Sequence, residues 1–438
     1  MQHPSTDPHG VSRRAFIRTA AVTTAGVVAA PMLIVSPAAA RTYRANERLQ
    51  LGYVGWGIRS RETHGGFLDD EAAEIVAVCD VVAARAAEGQ RRVNDRRKNG
   101  ACRIAASWRE IVADPAIDAV VVMTPDHWHA EPAISAALAG KHVYCEKPLS
   151  LTIAEGRAIA NAARSTGVRF QTGSQQRSEF GYHFVRAAEA VRNGRIGRIK
   201  RITIGVGAPP IPCDLPEEAV PEGTDWDAWL GQAPMRGFNH ELCPLGVHNT
   251  YPNWRRYREY CNGGLADMGA HHFDIAQWAL GMDESGPIEV IPPADGAKTG
   301  LRFVYANGTE MIHGGPTDCT FIGTEGTVEC SRGHVRAYRG EDPKAADDAS
   351  LLEPAHGNET PLPRNRSHID DFLTAIRTGR DPICTAETGH RTATICQLCN
   401  IGYEIGKPLA WNPATERFTG SNAAEANALT HRAVRPHR

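Results

Sequence analysis

Beyond residue 48 the chain alternates short apolar runs with amphipathic stretches of helical length. LQLGYVG (49–55), EIVAVCDV (74–81), IDAVVVMTP (117–125) and HVYCEKPLS (142–150) each end near a glycine, a proline or an acid. Unbroken apolar runs of this kind predict strands buried on both faces. HAEPAISAALAGK (129–141) has helical spacing between two of them, and residues 151–180 continue as helix and then strand, with VRFQTG at 168–173. Strands alternating with helices of 10–15 residues predict a parallel, doubly wound α/β sheet over 45–175.

The pattern then changes. Residues 205–262 are rich in Pro, Gly, Trp and charge and read as long loops over a site, where specificity resides. GGLADMGAHHFDIAQWAL (263–280) reads as a helix. LRFVYANG, EMIHGG and CTFIGTEGTVECSRG, within 286–340, are short strand-like pieces joined by glycine turns. They predict a β-rich second domain over 176–415. A polar connector fills 340–363, and helices return from Arg364; those of 364–410 are expected to pack back on the first domain. The tail over 416–438 reads as loose.

Residues 1–40 follow different rules. SRRAFIR (12–18) precedes the uncharged, alanine-rich run TAAVTTAGVVAAPMLIVSPAAA, which Pro31 and Pro37 interrupt and Ala38-Ala39-Ala40 close. Charge, apolar segment and small-residue exit predict a removable leader rather than a membrane anchor, and the paired arginines point to the twin-arginine route. The expectation is therefore an exported, periplasmic protein. Because a soluble nicotinamide pool is not expected there, any nicotinamide used should be loaded before export, tightly bound and regenerated in place.

Composition narrows the classes further. The chain has 438 residues, 42% hydrophobic and 22% charged, with a formal net charge of −2. It lacks the basic excess that nucleic acid demands. The 11 cysteines show no disulfide-scaffold spacing. Cys396 and Cys399 form a C-x-x-C on a helical stretch with no partner pair beside it, so both are expected to be buried structural thiols and no metal site is expected.

Candidate chemistry gathers at the strand ends. Gly55 and Gly57, in G-W-G-I-R-S, suit a Rossmann dinucleotide turn, with Ile58 and Arg59 opening the helix that would meet a pyrophosphate. Ser60 stands where the third Gly or Ala belongs. Asp80 lies 23 residues beyond Gly57, where a carboxylate meets the adenosine ribose and favours NAD over NADP. Arg59 and Arg61 are cations able to hold a 2′-phosphate, so NADP stays open. Thr124-Pro125 and Glu146-Lys147-Pro148 occupy further strand ends and should line the same crevice.

The runs TPDHWHA, GKHVYCEKPLS and GGLADMGAHHFDIAQWAL resemble the Gfo/Idh/MocA oxidoreductases, a family that includes glucose–fructose oxidoreductase and the inositol dehydrogenases. WDAWLGQAP, NWRRYREY and the segment from SHIDDFLTAIRTGRDP to GKPLAWNP extend the resemblance over nearly all of the mature chain, with the character of an exported bacterial subgroup. It implies a second domain that is α+β with a predominantly antiparallel open sheet, a homo-oligomer, and a sugar or polyol substrate. It also implies catalytic roles for Lys147, Asp267 and His271: the lysine beside nicotinamide and hydroxyl, the histidine carrying the proton. Asp274 closes that signature. Asp126, Trp128 and His129 are expected to border the cofactor.

The residue chemistry agrees with these roles. Hydride transfer from a secondary alcohol needs a base for the hydroxyl proton, and histidine titrates in the useful range. An ammonium stabilises the developing alkoxide. Asp267 and His271, four apart on a helix, share a face, so the carboxylate is expected to orient the imidazole; His272 points away and ranks lower. Gln175, Arg177, Arg255, Tyr257 and His272 are the substrate candidates, with Arg256 beside them. Two other functions stay open. One is a glycoside hydrolase that uses NAD transiently at C3, for which Tyr257, Tyr260 and His248 are candidate extra residues without assigned roles. The other is a catalytically silent sugar-binding protein.

Overall fold

The computed structural model describes residues 48–437; the leader expected over 1–40 lies outside the described residues. Strands β1 (Leu49–Val54), β2 (Ala73–Cys79), β3 (Arg103–Ile104), β4 (Ala119–Val122), β5 (His142–Cys145) and β6 (Phe170–Thr172) form one sheet, ordered β3-β2-β1-β4-β5-β6. Every pairing is parallel. The apolar runs are double-sided as expected: Val120 and Val122 of β4 enter one core, Ala119 and Val121 the other. The strand order reverses between β1 and β4, the switch point beyond which ligands of such sheets bind.

The second sheet has nine strands. These are β7 (Ile199–Ile204), β8 (Glu289–Ile291), β9 (Arg302–Val304), β10 (Glu310–His313), β11 (Cys319–Gly323), β12 (Gly326–Cys330), β13 (Val335–Arg339), β14 (Leu409–Asn412) and β15 (Arg417–Thr419). They run in the order β13-β12-β11-β7-β10-β9-β8-β14-β15. Only the β7–β10 pairing is parallel, so the sheet is predominantly antiparallel. Met311 and His313 of β10 are buried while Glu310 and Ile312 are half-buried, the alternation of a sheet packed mainly on one side. That packed side carries the Gly263–Leu280 helix, which brings its residues to the first sheet's carboxyl edge.

The Ala386–Ile405 helix joins the two halves: it packs on both the Ile153–Thr166 helix and the Gly263–Leu280 helix. Arg157 on the first of these is held by Glu387 at 2.6 Å. Cys396 and Cys399 are fully buried on this connecting helix.

One expectation needs correction. The tail beyond 416 is not loose. β15 pairs with β14, and the buried Trp411 and Phe418 rings meet across the hairpin at 4.8 Å. Such cross-strand aromatic pairs stabilise a ladder that the local sequence alone would not. The Ala423–Ala428 helix follows, and then Arg432 reaches Glu155 at 2.8 Å and Arg435 reaches Asp227 at 2.7 Å. The 205–262 segment, read as loops, also has an apolar centre of its own: Trp226, Trp229, Phe238, Trp254, Tyr257 and Tyr260 pack together, with Trp226 and Trp229 stacked at 4.7 Å.

Candidate functional site

A cavity of about 1160 Å3 runs along the carboxyl edge of the parallel sheet, from Asp80 past Gly55 and Gly57 to Lys147 and His271. Its first half has the features of a dinucleotide cradle. Gly55 has φ 88°, and a Cβ there would stand 2.9 Å from the Met123 carbonyl oxygen, so the turn itself demands glycine. Gly57 is different. Its φ is −83° and a Cβ would meet nothing within 4 Å, so the fold does not require glycine there. Open space against the N-terminus of the Ile58–Asp69 helix, which has no capping side chain and no acid in its first turn, suits a close-lying pyrophosphate.

Ser60 is accommodated because its hydroxyl donates to the Gly55 carbonyl at 2.7 Å and is wholly buried. The substitution thus braces the turn. Asp80 is oriented by backbone amides, accepting from Trp56 at 2.7 Å and Val82 at 2.8 Å. At the end of β4, Thr124 Oγ1 and Asp126 Oδ2 are buried without hydrogen-bond partners, and both residues line the cavity. These groups fit a nicotinamide dinucleotide. Gly57→Ala should therefore change stability by less than about 1 kcal/mol but weaken NAD+ binding at least tenfold, by fluorescence titration. Unchanged affinity would remove Gly57 from the site.

Lys147 and the Gly263–Leu280 helix build the other half. Lys147 Nζ donates to Asp267 Oδ1 at 2.8 Å and to the Asp267 carbonyl at 2.6 Å. Arg255 Nε stands 3.7 Å from the other carboxylate oxygen. Burial opposes the charge on Asp267, but Lys147 and Arg255 outweigh it and hold the carboxyl below its usual pKa. His271 lines the cavity with only 4% of its surface exposed. Burial first, then the Lys147 ammonium, push its pKa well below the ordinary value. The imidazole is therefore neutral near pH 7 and able to take a proton.

The expected Asp267–His271 pairing does not form. Asp267 spends its carboxylate on Lys147, and His271 Nδ1 has no hydrogen-bond partner. An ammonium one bond away outcompetes a neutral ring for the acid. His272 does not line the cavity; it is buried, with Nε2 3.6 Å from Asp318.

The other candidates divide. Gly55, Gly57, Ile58, Arg59, Asp80, Thr124, Pro125, Asp126, Glu146, Gln175 and Arg255 all border the cavity. Gln175 is not free to meet substrate through its amide nitrogen, which donates to Glu146 and Tyr144, both at 2.9 Å. His129 lies behind the wall, its ring nitrogens 2.7 Å from the Pro148 carbonyl and 2.9 Å from the Thr124 carbonyl; it ties two strand ends together instead of touching the crevice. Arg177 is 1% exposed and held by Asp274 (2.8 Å, two bonds) and Asp283 (2.7 Å). Its charge is consumed internally, so it is not a substrate ligand. Tyr257 and Tyr260 belong to the aromatic cluster, whereas His248 borders the cavity. Sequence reasoning missed Glu62, Tyr251, Trp254 and Arg332, which also line it. Tyr251 and Trp254 flank Arg255, whose guanidinium lies 4.6 and 4.3 Å from their rings. Only the aromatic density around 251–257 hinted at them.

Two family models match the chain. Residues 49–174 match the oxidoreductase family NAD-binding Rossmann fold, and residues 212–437 match its C-terminal alpha/beta domain. The 1,5-anhydro-D-fructose reductase of Ensifer adhaerens is 26% identical over 361 residues, 77% of this chain and 93% of that protein. The myo-inositol 2-dehydrogenase of Thermotoga maritima is 34% identical over 167 residues, 37% of this chain and 47% of that one. Among solved structures, the WlbA dehydrogenase from Bordetella pertussis, in complex with NADH and UDP-GlcNAcA, superposes with a TM-score of 0.58 at 19% identity, covering 84% of this chain and 99% of that chain.

Proposed function

The chain belongs to the Gfo/Idh/MocA oxidoreductase family, and from that premise we propose that it transfers hydride between a retained nicotinamide and a hydroxyl or keto carbon of a sugar or polyol. The observation that carries this reading is the placement of Lys147 and His271 on one cavity wall, continuous with the glycine cradle. When bound, the dinucleotide supplies the hydride acceptor or donor. His271, neutral and buried, takes the hydroxyl proton or returns it. Lys147 uses two of its three N–H groups on Asp267, and the third is available to a developing alkoxide. Asp267 is a positioning residue that fixes the ammonium. Arg255 and Trp254 offer donors and a stacking face for a polyhydroxylated ring.

NAD is the favoured dinucleotide in this reading. Asp80 would repel a 2′-phosphate, and both candidate cations are otherwise engaged. Arg59 lies 3.1 Å from Glu146, and Arg61 bonds Asn249 at 2.9 Å. The names of the relatives, a reductase and a dehydrogenase of sugar-like and polyol substrates, support the substrate class. SRRAFIR and the alanine exit support export by the twin-arginine route to the periplasm, and with it a cofactor that stays bound. Self-association, implied by the family resemblance, belongs to the same proposal.

Purified protein should release stoichiometric NAD(H) on denaturation and oxidise or reduce a sugar panel with that nucleotide in place. Absence of any nucleotide would favour the silent sugar-binding alternative. Phenolate release from p-nitrophenyl glycosides without added NAD+, and no net change in nucleotide redox state, would replace net oxidation by redox-neutral cleavage.

A further inference from the structure

The adenosine end of the cavity is walled by residues far from the glycine motif. Leu242, His248 and Tyr251 stand there with Gly57, Asp80 and Arg85. Their segment is held by side chains of the two helices that flank Asp80. From the Ile58–Asp69 helix, Arg61 donates to Asn249 Oδ1 at 2.9 Å and to the His248 carbonyl, and Glu62 accepts from the Tyr251 hydroxyl at 2.6 Å. From the Ala83–Arg97 helix, Arg85 donates to the Gly246 carbonyl at 2.8 Å and to the Pro244 carbonyl. On the other side of the notch, Ala83 N–H donates to the Gly223 carbonyl and Asp225 N–H to the Val81 carbonyl, both at 2.8 Å.

Apolar burial does not explain this placement. Leu245, Val247 and Tyr251 are 61%, 45% and 50% exposed, so the segment gains little from leaving water. Charge-assisted hydrogen bonds set its position instead. His248 Nδ1 stands 2.7 Å from the Thr250 carbonyl, which makes it the donor nitrogen and leaves Nε2 as an acceptor.

We infer that residues 243–251 are the second wall of the adenosine-diphosphate subsite, with Arg61, Glu62 and Arg85 as anchors that keep the dinucleotide from leaving. The inference rests on the proposed presence of that dinucleotide. His248 supplies an acceptor for a ribose hydroxyl, and the segment must lift before the cofactor can exit. This gives retention a structural cause independent of affinity at the nicotinamide end.

The test is NADH release. Wild-type protein loaded with NADH is diluted into excess NAD+ and followed by fluorescence, beside Arg61→Ala, Tyr251→Phe and the double variant. Loss of these anchors should speed release about tenfold or more in the double variant, with melting temperatures close to wild type because both positions reach solvent. Bound NADH should also slow chymotryptic cleavage after the exposed Leu245 in wild type. Equal release rates in all four proteins, or cleavage indifferent to NADH, would overturn the wall assignment while leaving the dinucleotide reading intact. Wild-type protein that holds no NADH would overturn both.

Discussion

Lys147→Met should lower kcat by roughly 10²–10⁴-fold while nicotinamide content is kept and stability falls by only about 1–2 kcal/mol. Among the described residues the ammonium is the one cation bonded to Asp267 at hydrogen-bond distance, and Arg255 stays near that carboxylate at 3.7 Å, so the fold survives the change. The loss belongs to charge stabilisation in the transition state. The pH profile gives a second, sharper readout. His271 is held well below its ordinary pKa of 6.5 by burial and then by Lys147, so wild-type activity should persist as pH falls through 6.5. Removing the ammonium removes one of the two leading causes, so the acid limb of kcat/KM should move upward toward neutrality. A limb that moves down or stays fixed would show that Lys147 does not face His271 as described. His271→Asn should lose activity on the same scale and lose the acid limb altogether.

Arg177→Met should destabilise the protein by about 3–5 kcal/mol, a large part of the roughly 5–15 kcal/mol that folded domains possess. Burial opposes the charge on Arg177, but Asp274 and Asp283 hold its pKa well above the usual value. Without the guanidinium, Asp274, whose pKa burial already pushes up, is left with Thr392 at 2.9 Å as its side-chain donor. Arg177→Lys keeps a cation but not the fork that serves two carboxylates, so an intermediate loss is expected. Urea unfolding of both variants measures it, and the lysine variant keeps the test usable if the methionine variant fails to fold. Normal stability with a raised KM for sugar would return Arg177 to the substrate site.

The same residue marks where sequence reading stops. SQQRS and the Asp274 position looked like site chemistry because Arg and Asp near a family signature usually are. Whether a charge faces a cavity or another charge depends on packing across some hundred residues, which no local pattern encodes. Tyr257 and His129 misled for the same reason: one joined an aromatic core, the other bridged two strand-end carbonyls. The tail failed differently. Its polar composition hid one cross-strand pair, Trp411 with Phe418, and that pair decides the hairpin.

The period and length of the apolar runs, with Gly55, Gly57, Asp80 and E-K-P at their ends, were enough by themselves to determine a parallel dinucleotide-type sheet and the crevice at its carboxyl edge. Local rules suffice there because strand burial and glycine turns are short-range constraints. Only the tertiary structure decided that Asp267 serves Lys147 instead of His271, that Ser60 closes the turn through its hydroxyl, and that Arg61 and Arg85 hold the backbone of residues 244–248 at the cavity edge that Asp80 shares. Those are competitions among side chains far apart in the chain for one carboxylate, one carbonyl or one open edge. Distance and burial settle them, and neither is written in sequence order.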